Sequence, residues 1–137
     1  MTELTVPAAQ AILADNFAVW VQDLGLSVES VAVGEAVLRM PYSERLVRVG
    51  GTICGQALMS AADTAMVIAL SGSYGGFRPV TTVSQNVTFM RPIARQDVLV
   101  AARVMRLGKS MAFGEITLRG ASDGKPAAHA TTTYAIL

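Results

Sequence analysis

Apolar residues recur at helical spacing near the start of the chain. Leu13, Phe17, Trp20, Val21 and Leu24 follow Thr5 and Pro7, two residues suited to opening a helix. This spacing predicts an amphipathic helix over about 7–24, with Gly25 at its C-cap. From Leu26 to Tyr42 the period shortens. Val31 and Val33, then Ala36, Leu38 and Met40, alternate with small or charged residues, predicting two short strands joined by a tight turn at Gly34-Glu35. A loop over 43–54, broken by Gly50-Gly51, leads into a helix over about 55–71. That helix is apolar nearly all round and so must be wrapped by protein on most sides. The Gly-rich stretch Ser71–Gly76 ends it, and four strand-like segments follow at about 80–90, 97–107, 111–120 and 126–136. Gly108-Lys109-Ser110 and Ser122-Asp123-Gly124-Lys125 are hairpin connections. Runs of consecutive strands make an antiparallel sheet, and the apolar helix packs across it. The fold class is α+β, a sheet curling round a central helix. No repeat or low-complexity run divides the chain, so one domain is expected over 1–137: an N-terminal helix within 1–25, then a core over 26–137.

Charge narrows the possibilities. Eleven basic residues against ten acidic leave a formal charge of +1, too little to neutralise a nucleic-acid backbone. Charged residues make up only 15% of a chain that is 52% hydrophobic, which implies surface buried against other subunits. One Cys and one His exclude a disulfide framework and a metal site of several thiolates or imidazoles. The start of the chain has no signal-peptide layout. Gly55–Gly72 is hydrophobic, but it is rich in Ala, Ser and Gly and carries Asp63 at its centre, so it reads as a buried helix and not a membrane span. A cytoplasmic protein is expected.

Between Arg48 and Arg78 the only charged residue is Asp63, with Leu58, Met59, Met66, Val67 and Ile68 around it. An unpaired carboxylate in such surroundings costs several kcal/mol. Asp63 therefore either braces a neighbouring loop or serves as a catalytic base or nucleophile. Gly50-Gly51-Thr52-Ile53-Cys54-Gly55 puts small residues and free N–H groups at the positive end of the same helix, a geometry suited to a carbonyl oxygen gaining charge. On the strand from Thr81 to Met90, alternation puts Val83, Gln85, Val87 and Phe89 on one face. Thr82, Ser84, Asn86 and Thr88 fall on the other, as a polar row that either meets solvent or lines a site. Cys54 and His129 have only their residue types to suggest a nucleophilic pair. Met40, Met59, Met66, Met90 and Met105 read as core, though Met59 and Met66 also suit a pocket for flexible acyl chains.

Three blocks carry a family resemblance: Gly51-Thr52-Ile53-Cys54-Gly55-Gln56 with Ala62-Asp63, Asn86-Val87-Thr88-Phe89-Met90-Arg91-Pro92, and Gly108-Lys109-Ser110-Met111-Ala112-Phe113. From about residue 26 onward the chain resembles the phenylacetate-pathway (PaaI-type) acyl-CoA thioesterases of the hotdog fold. The resemblance implies homodimers whose sheets join edge to edge, usually paired again as dimers of dimers, with active sites at the dimer interface. It implies hydrolysis of an acyl-CoA to a carboxylic acid and free CoA, with coenzyme A as part of the substrate and no other cofactor. By position, Asp63 corresponds to the catalytic carboxylate, Gly55 to the glycine whose N–H polarises the thioester carbonyl, and Thr82 to a hydroxyl that orients water. Arg91, Lys109 and Ser110 fall where relatives contact the CoA nucleotide or its phosphates, and Asn86, in the polar row beside them, is a further candidate substrate contact. Two positions depart from the pattern. The usual His-Gly-Gly is Cys54-Gly55-Gln56 here, and the loop asparagine six residues before that histidine is Arg48. Gln56 offers an amide donor in their place. The contrasting expectation is a hotdog protein that binds acyl-CoA or a small ligand without turning it over. A hydratase would need a histidine near the helix, where this sequence has none.

Overall fold

A computed structural model describes residues 3–137; Met1 and Thr2, the first residues of the expected 1–25 segment, lie outside the described residues. The elements are α1 (Val6–Asn16), α2 (Val19–Gln22), β1 (Ser27–Ala32), β2 (Glu35–Met40), α3 (Gly55–Tyr74), β3 (Val80–Phe89), β4 (Val98–Leu107), β5 (Met111–Gly120) and β6 (Pro126–Ile136). The six strands form one antiparallel sheet in the order β1-β2-β4-β5-β6-β3, curled around α3. This is the hotdog architecture.

Strand alternation builds the core. Leu38 and Met40 of β2, Val98 and Val100 of β4, Ile116 and Leu118 of β5, and Ala128 and Ala130 of β6 are buried beneath the helix. Ala57, Ala61, Ala62, Ala65 and Ala69 of α3 are buried with them. Small side chains on α3 let helix and sheet backbones approach closely, and each buried Leu or Ile contributes about 1.5–3 kcal/mol.

Close approach also explains why α3 outruns its expected end at residue 71. A Cβ on Gly72 would lie 2.2 Å from the carbonyl oxygen of Ala32, so this glycine serves packing inside the helix. The terminator is Gly75, left-handed at φ 74°, whose N–H bonds to the Ser71 carbonyl.

The single N-terminal helix expected over 7–24 is broken in two. Thr5 caps α1 as its position suggests, accepting a hydrogen bond from the Ala8 N–H. Phe17 and Ala18, however, are extended, and the Gln22 amide donates to the carbonyls of Ala14 (2.7 Å) and Phe17 (3.2 Å) that the break releases. Trp20 consequently faces solvent at 59% exposure, while Leu13 and Leu24 stay buried. The β1–β2 turn is centred on Val33-Gly34, one residue earlier than expected, with Gly34 at φ 73°. The loop at 43–54 contains a short 3-10 turn, Glu44–Leu46.

The two sheet edges differ. Beside β1, Gln10 of α1 donates to the Leu26 carbonyl and accepts from the Val28 N–H. β3 is the other edge, and Val83 (57%), Phe89 (48%) and nearby Met90 (54%) are exposed along it. Among the described residues no helix is long and apolar enough to cross a membrane.

Candidate active site

Packing covers most of α3 but leaves one stripe. Gln56, Met59, Ser60, Asp63 and Val67, three or four residues apart, are the positions that escape full burial over its first three turns beyond Gly55. The helix's only carboxylate thus lies on its only open face. Two hydroxyls hold it. Thr82 Oγ1 of β3 donates to Asp63 Oδ1 at 2.8 Å, and Tyr134 Oη of β6 donates to the same oxygen while lying 3.0 Å from the Asp63 carbonyl. Thr82 and Tyr134 are cross-strand partners, so the β3–β6 register itself delivers both donors. Burial first, and then the negative charge of Asp63, pushes the Tyr134 phenol far above its ordinary pKa. It remains a protonated donor.

The polar row expected on β3 is reorganised by a bulge. The β3–β6 register shifts between Thr82 and Ser84, making Val83 the extra residue. Beyond the bulge the phase is inverted. Thr82 shares its inward face with Gln85, whose amide donates to the Met59 carbonyl at 3.0 Å, and with Phe89, against whose ring Gly55 packs. Ser84, Asn86 and Thr88 pair with Thr133, Thr131 and His129 on the outer face. Asn86, singled out as a substrate contact, is therefore separated from Asp63 by the sheet. Met66 is fully buried core, as first read, and so lines no pocket within the chain, whereas Met59, also read as core, is 40% exposed on the open stripe. Met90 and Met105, read as core, are exposed.

A second group assembles at the start of α3. A tight turn, closed by Arg48 N–H to Thr52 O (2.8 Å), is permitted by Gly50 and Gly51 at φ 91° and 77°. Cys54 occupies the helix N-cap but its side chain caps nothing, and the N–H of Gly55, the first helical residue, has no acceptor among the described residues. A cleft of about 420 Å³ opens beside Gly55, walled by Leu58, Phe89 and Met90 with Arg48 and Arg91 at its rim. Gln56 does not reach into it. Gln56 and Cys54 line a separate cleft of about 170 Å³ with Trp20, Leu46 and Arg45, on the other flank of the helix.

Within one chain the two groups are apart. Gly55 and Asp63 are separated by eight residues, about 12 Å of helix.

The profile of the Thioesterase superfamily matches residues 50–127, more than half of the chain. A Thermoplasma volcanium protein named "Putative esterase" is 38% identical over 89 residues, which is 64% of this chain and 65%, less than two thirds, of that relative's length. Human acyl-coenzyme A thioesterase 13 is 28% identical over 101 residues, covering 73% of this chain and 71% of the human protein. A mutant structure of the phenylacetic acid degradation protein PaaI from Thermus thermophilus superposes with a TM-score of 0.76 at 28% identity, covering 86% of this chain and 98% of PaaI. The chain belongs to the Thioesterase superfamily.

Membership gives the remaining candidates a context. The superfamily match includes Gly55, Asp63 and Thr82 but stops short of Tyr134, which the sequence reading missed. A signal for it existed: Tyr134 is the last fully buried position of β6, and a buried phenol requires an acceptor. Lys109 and Ser110 form the β4–β5 turn, with the Ser110 carbonyl accepting from Ile136 N–H. They lie at the Asp63 end of the sheet, two to three residues beyond the Ala112–Tyr134–Thr82 row. Arg91 lies at the Gly55 end. Cys54 and His129 are not a pair: His129 is on the outer sheet face, 3.3 Å from Glu115, whose carboxyl is held low by Arg103 and then by His129.

Proposed function

We propose that this superfamily member hydrolyses acyl-CoA thioesters, with a medium-chain or aryl acyl group, at sites shared between two copies of the chain. The observation that carries the reading is Asp63, a lone carboxylate on the open stripe of an apolar helix, anchored through one oxygen and unbonded at the other among the described residues. Asp63 and the Gly55 N–H are about 12 Å apart and cannot serve one carbonyl in the same chain. Antiparallel pairing of the exposed edge β3 with its own copy would set the Asp63 end of one chain against the Gly55 end of the other. The exposed Val83, Phe89 and Met90 are the apolar surface such a pairing would cover. Two such dimers would pair further, and the cytoplasm is the expected compartment.

In this scheme water attacks the thioester carbonyl while Asp63 accepts its proton, and Thr82, donating to Asp63, accepts a hydrogen bond from the water. The oxyanion of the tetrahedral intermediate rests at the Gly55 N–H, at the positive end of α3. Collapse expels the CoA thiolate, which takes the proton back from Asp63 and leaves the carboxylic acid. Direct attack by Asp63, through an anhydride that water then opens, uses the same atoms. Leu58, Phe89 and Met90 would receive apolar parts of the substrate, and Arg48 and Arg91 the phosphates. These steps call on side chains, backbone and water alone.

The test is thiol release from short, long and aromatic acyl-CoAs, with Asp63→Asn alongside. The expected outcome is release that falls about 10²–10⁴-fold in the variant. Silence across the panel while CoA esters still bind would favour the ligand-binding reading, which Arg48 in the usual asparagine position supports.

A further inference from the structure

An aspartate at mid-helix ordinarily samples several rotamers, and either carboxylate oxygen can turn toward a substrate. Asp63 is constrained differently. Both of its hydroxyl donors, Thr82 Oγ1 and Tyr134 Oη, converge on Oδ1, and Oδ2 has no partner among the described residues. Thr82 is exposed in the single chain and in the proposed dimer faces the attacking water, so its hydroxyl can turn away from Asp63. Tyr134 cannot turn away. The residue is 1% exposed, its ring is fixed beneath α3, and its Oη contacts Asp63 through both the carboxylate and the main-chain carbonyl. No other charged group takes part: α3 carries no second charge, and the positions across from Tyr134 are Thr82 on β3 and Ala112 on β5.

We propose that Tyr134 is a positioning residue that locks Oδ1 of Asp63, so that Oδ2 alone is presented to the attacking water or the thioester. The inference rests on Asp63 being the reacting carboxylate. Tyr134 touches no reactant itself. It acts by removing the rotamers in which Asp63 would face the wrong way, and orientation of this kind is felt in turnover and not in substrate affinity.

The experiment compares wild type, Asp63→Asn, Tyr134→Phe and the double variant in acyl-CoA hydrolysis, with thermal unfolding as control. Tyr134→Phe keeps the ring and deletes one hydroxyl, so kcat should fall about 10- to 100-fold while KM stays within about twofold. In the Asp63→Asn background, Tyr134→Phe should change the residual rate no further, because there is no carboxylate left to position. A hydroxyl that only supports packing would lower the rate equally in both backgrounds. Full activity in Tyr134→Phe beside an inactive Asp63→Asn overturns the inference and leaves the hydrolytic reading intact. An inactive wild type, or an Asp63→Asn variant as fast as wild type, overturns that reading first. Should Tyr134→Phe fail to fold, proton NMR of the wild type decides. A slowly exchanging downfield hydroxyl resonance that moves in Asp63→Asn is expected, and its absence overturns the proposal.

Discussion

The thioether end of Met66 occupies the space that a side chain at Gly114 would need: a Cβ there would fall 2.2 Å from Met66 Cε and 2.6 Å from Sδ. The inward face of β5 has a gap at Gly114, and a flexible methionine from α3 fills it. Gly114→Ala should therefore destabilise the fold by about 1–3 kcal/mol, measured by denaturant unfolding. Gly72→Ala should cost more. Its Cβ meets the Ala32 carbonyl oxygen at 2.2 Å, and a paired strand cannot swing aside as a methionine can. Helix propensity alone would make this second change favourable by up to about 1 kcal/mol, so the sign of the measured effect tests the packing directly.

Acid stability gives a second expectation. The Tyr42 N–H, and after it the Arg39 guanidinium, hold the Asp97 carboxyl below its ordinary range. A group whose pKa is lower in the folded state stabilises above its unfolded value and loses that contribution as pH falls through the folded one. The melting temperature should thus drop as pH is lowered below about 4. Asp97→Asn, whose amide oxygen can still accept from Tyr42, should melt lower at neutral pH and show a flatter decline on acidification.

How much of this was legible beforehand depended on how local the cause was. The strands expected at 97–107, 111–120 and 126–136 coincide closely with β4, β5 and β6, because alternation and the Gly-Lys-Ser and Asp-Gly turns act over a few residues. Asp63 stood out for a similar reason, as the sole charge in a long apolar run. The break at Phe17-Ala18 has no proline or glycine to announce it; Gln22 reaching back to free carbonyls stabilises it. The Val83 bulge hides in a Val/Thr run whose pattern reads smoothly in either phase, and one extra residue transferred Asn86 to the far side of the sheet. Tyr134 meets Asp63 across 71 positions, a contact only the β3–β6 register creates.

On the proposed function, the cleft beside Gly55 would receive the CoA moiety. Arg48 and Arg91 sit at its rim, exposed, and form no ion pair among the described residues. If they meet phosphates, Arg48→Ala and Arg91→Ala should each raise KM for acyl-CoA about two- to fivefold, the scale of an exposed charge contact, with kcat nearly unchanged. Added salt should raise the wild-type KM and narrow the difference. Steady-state kinetics at two ionic strengths would separate this from a loss of the apolar wall, which salt would not mimic.

A site divided between chains makes the most demanding prediction. Gly55 opens α3 at a position where proline fits a helix, and Cys54 before it is already extended at φ −68°, ψ 148°. Gly55→Pro should therefore keep the helix and delete one N–H donor, with the Phe89 ring, 3.3 Å from a Cβ at this position, shifting slightly to admit it, and lower the rate about 10²–10³-fold. Asp63→Asn should be inactive for a different reason, lacking the proposed base. Neither homodimer would then contain a working site. Mixed dimers would contain one, built from Asp63 of the Gly55→Pro chain and Gly55 of the Asp63→Asn chain. Unfolding the two variants together at equal concentration and refolding them should restore about a quarter of wild-type activity, since half the dimers are mixed and each has one of two sites intact. Sites formed within a single chain would leave the mixture as inactive as its components.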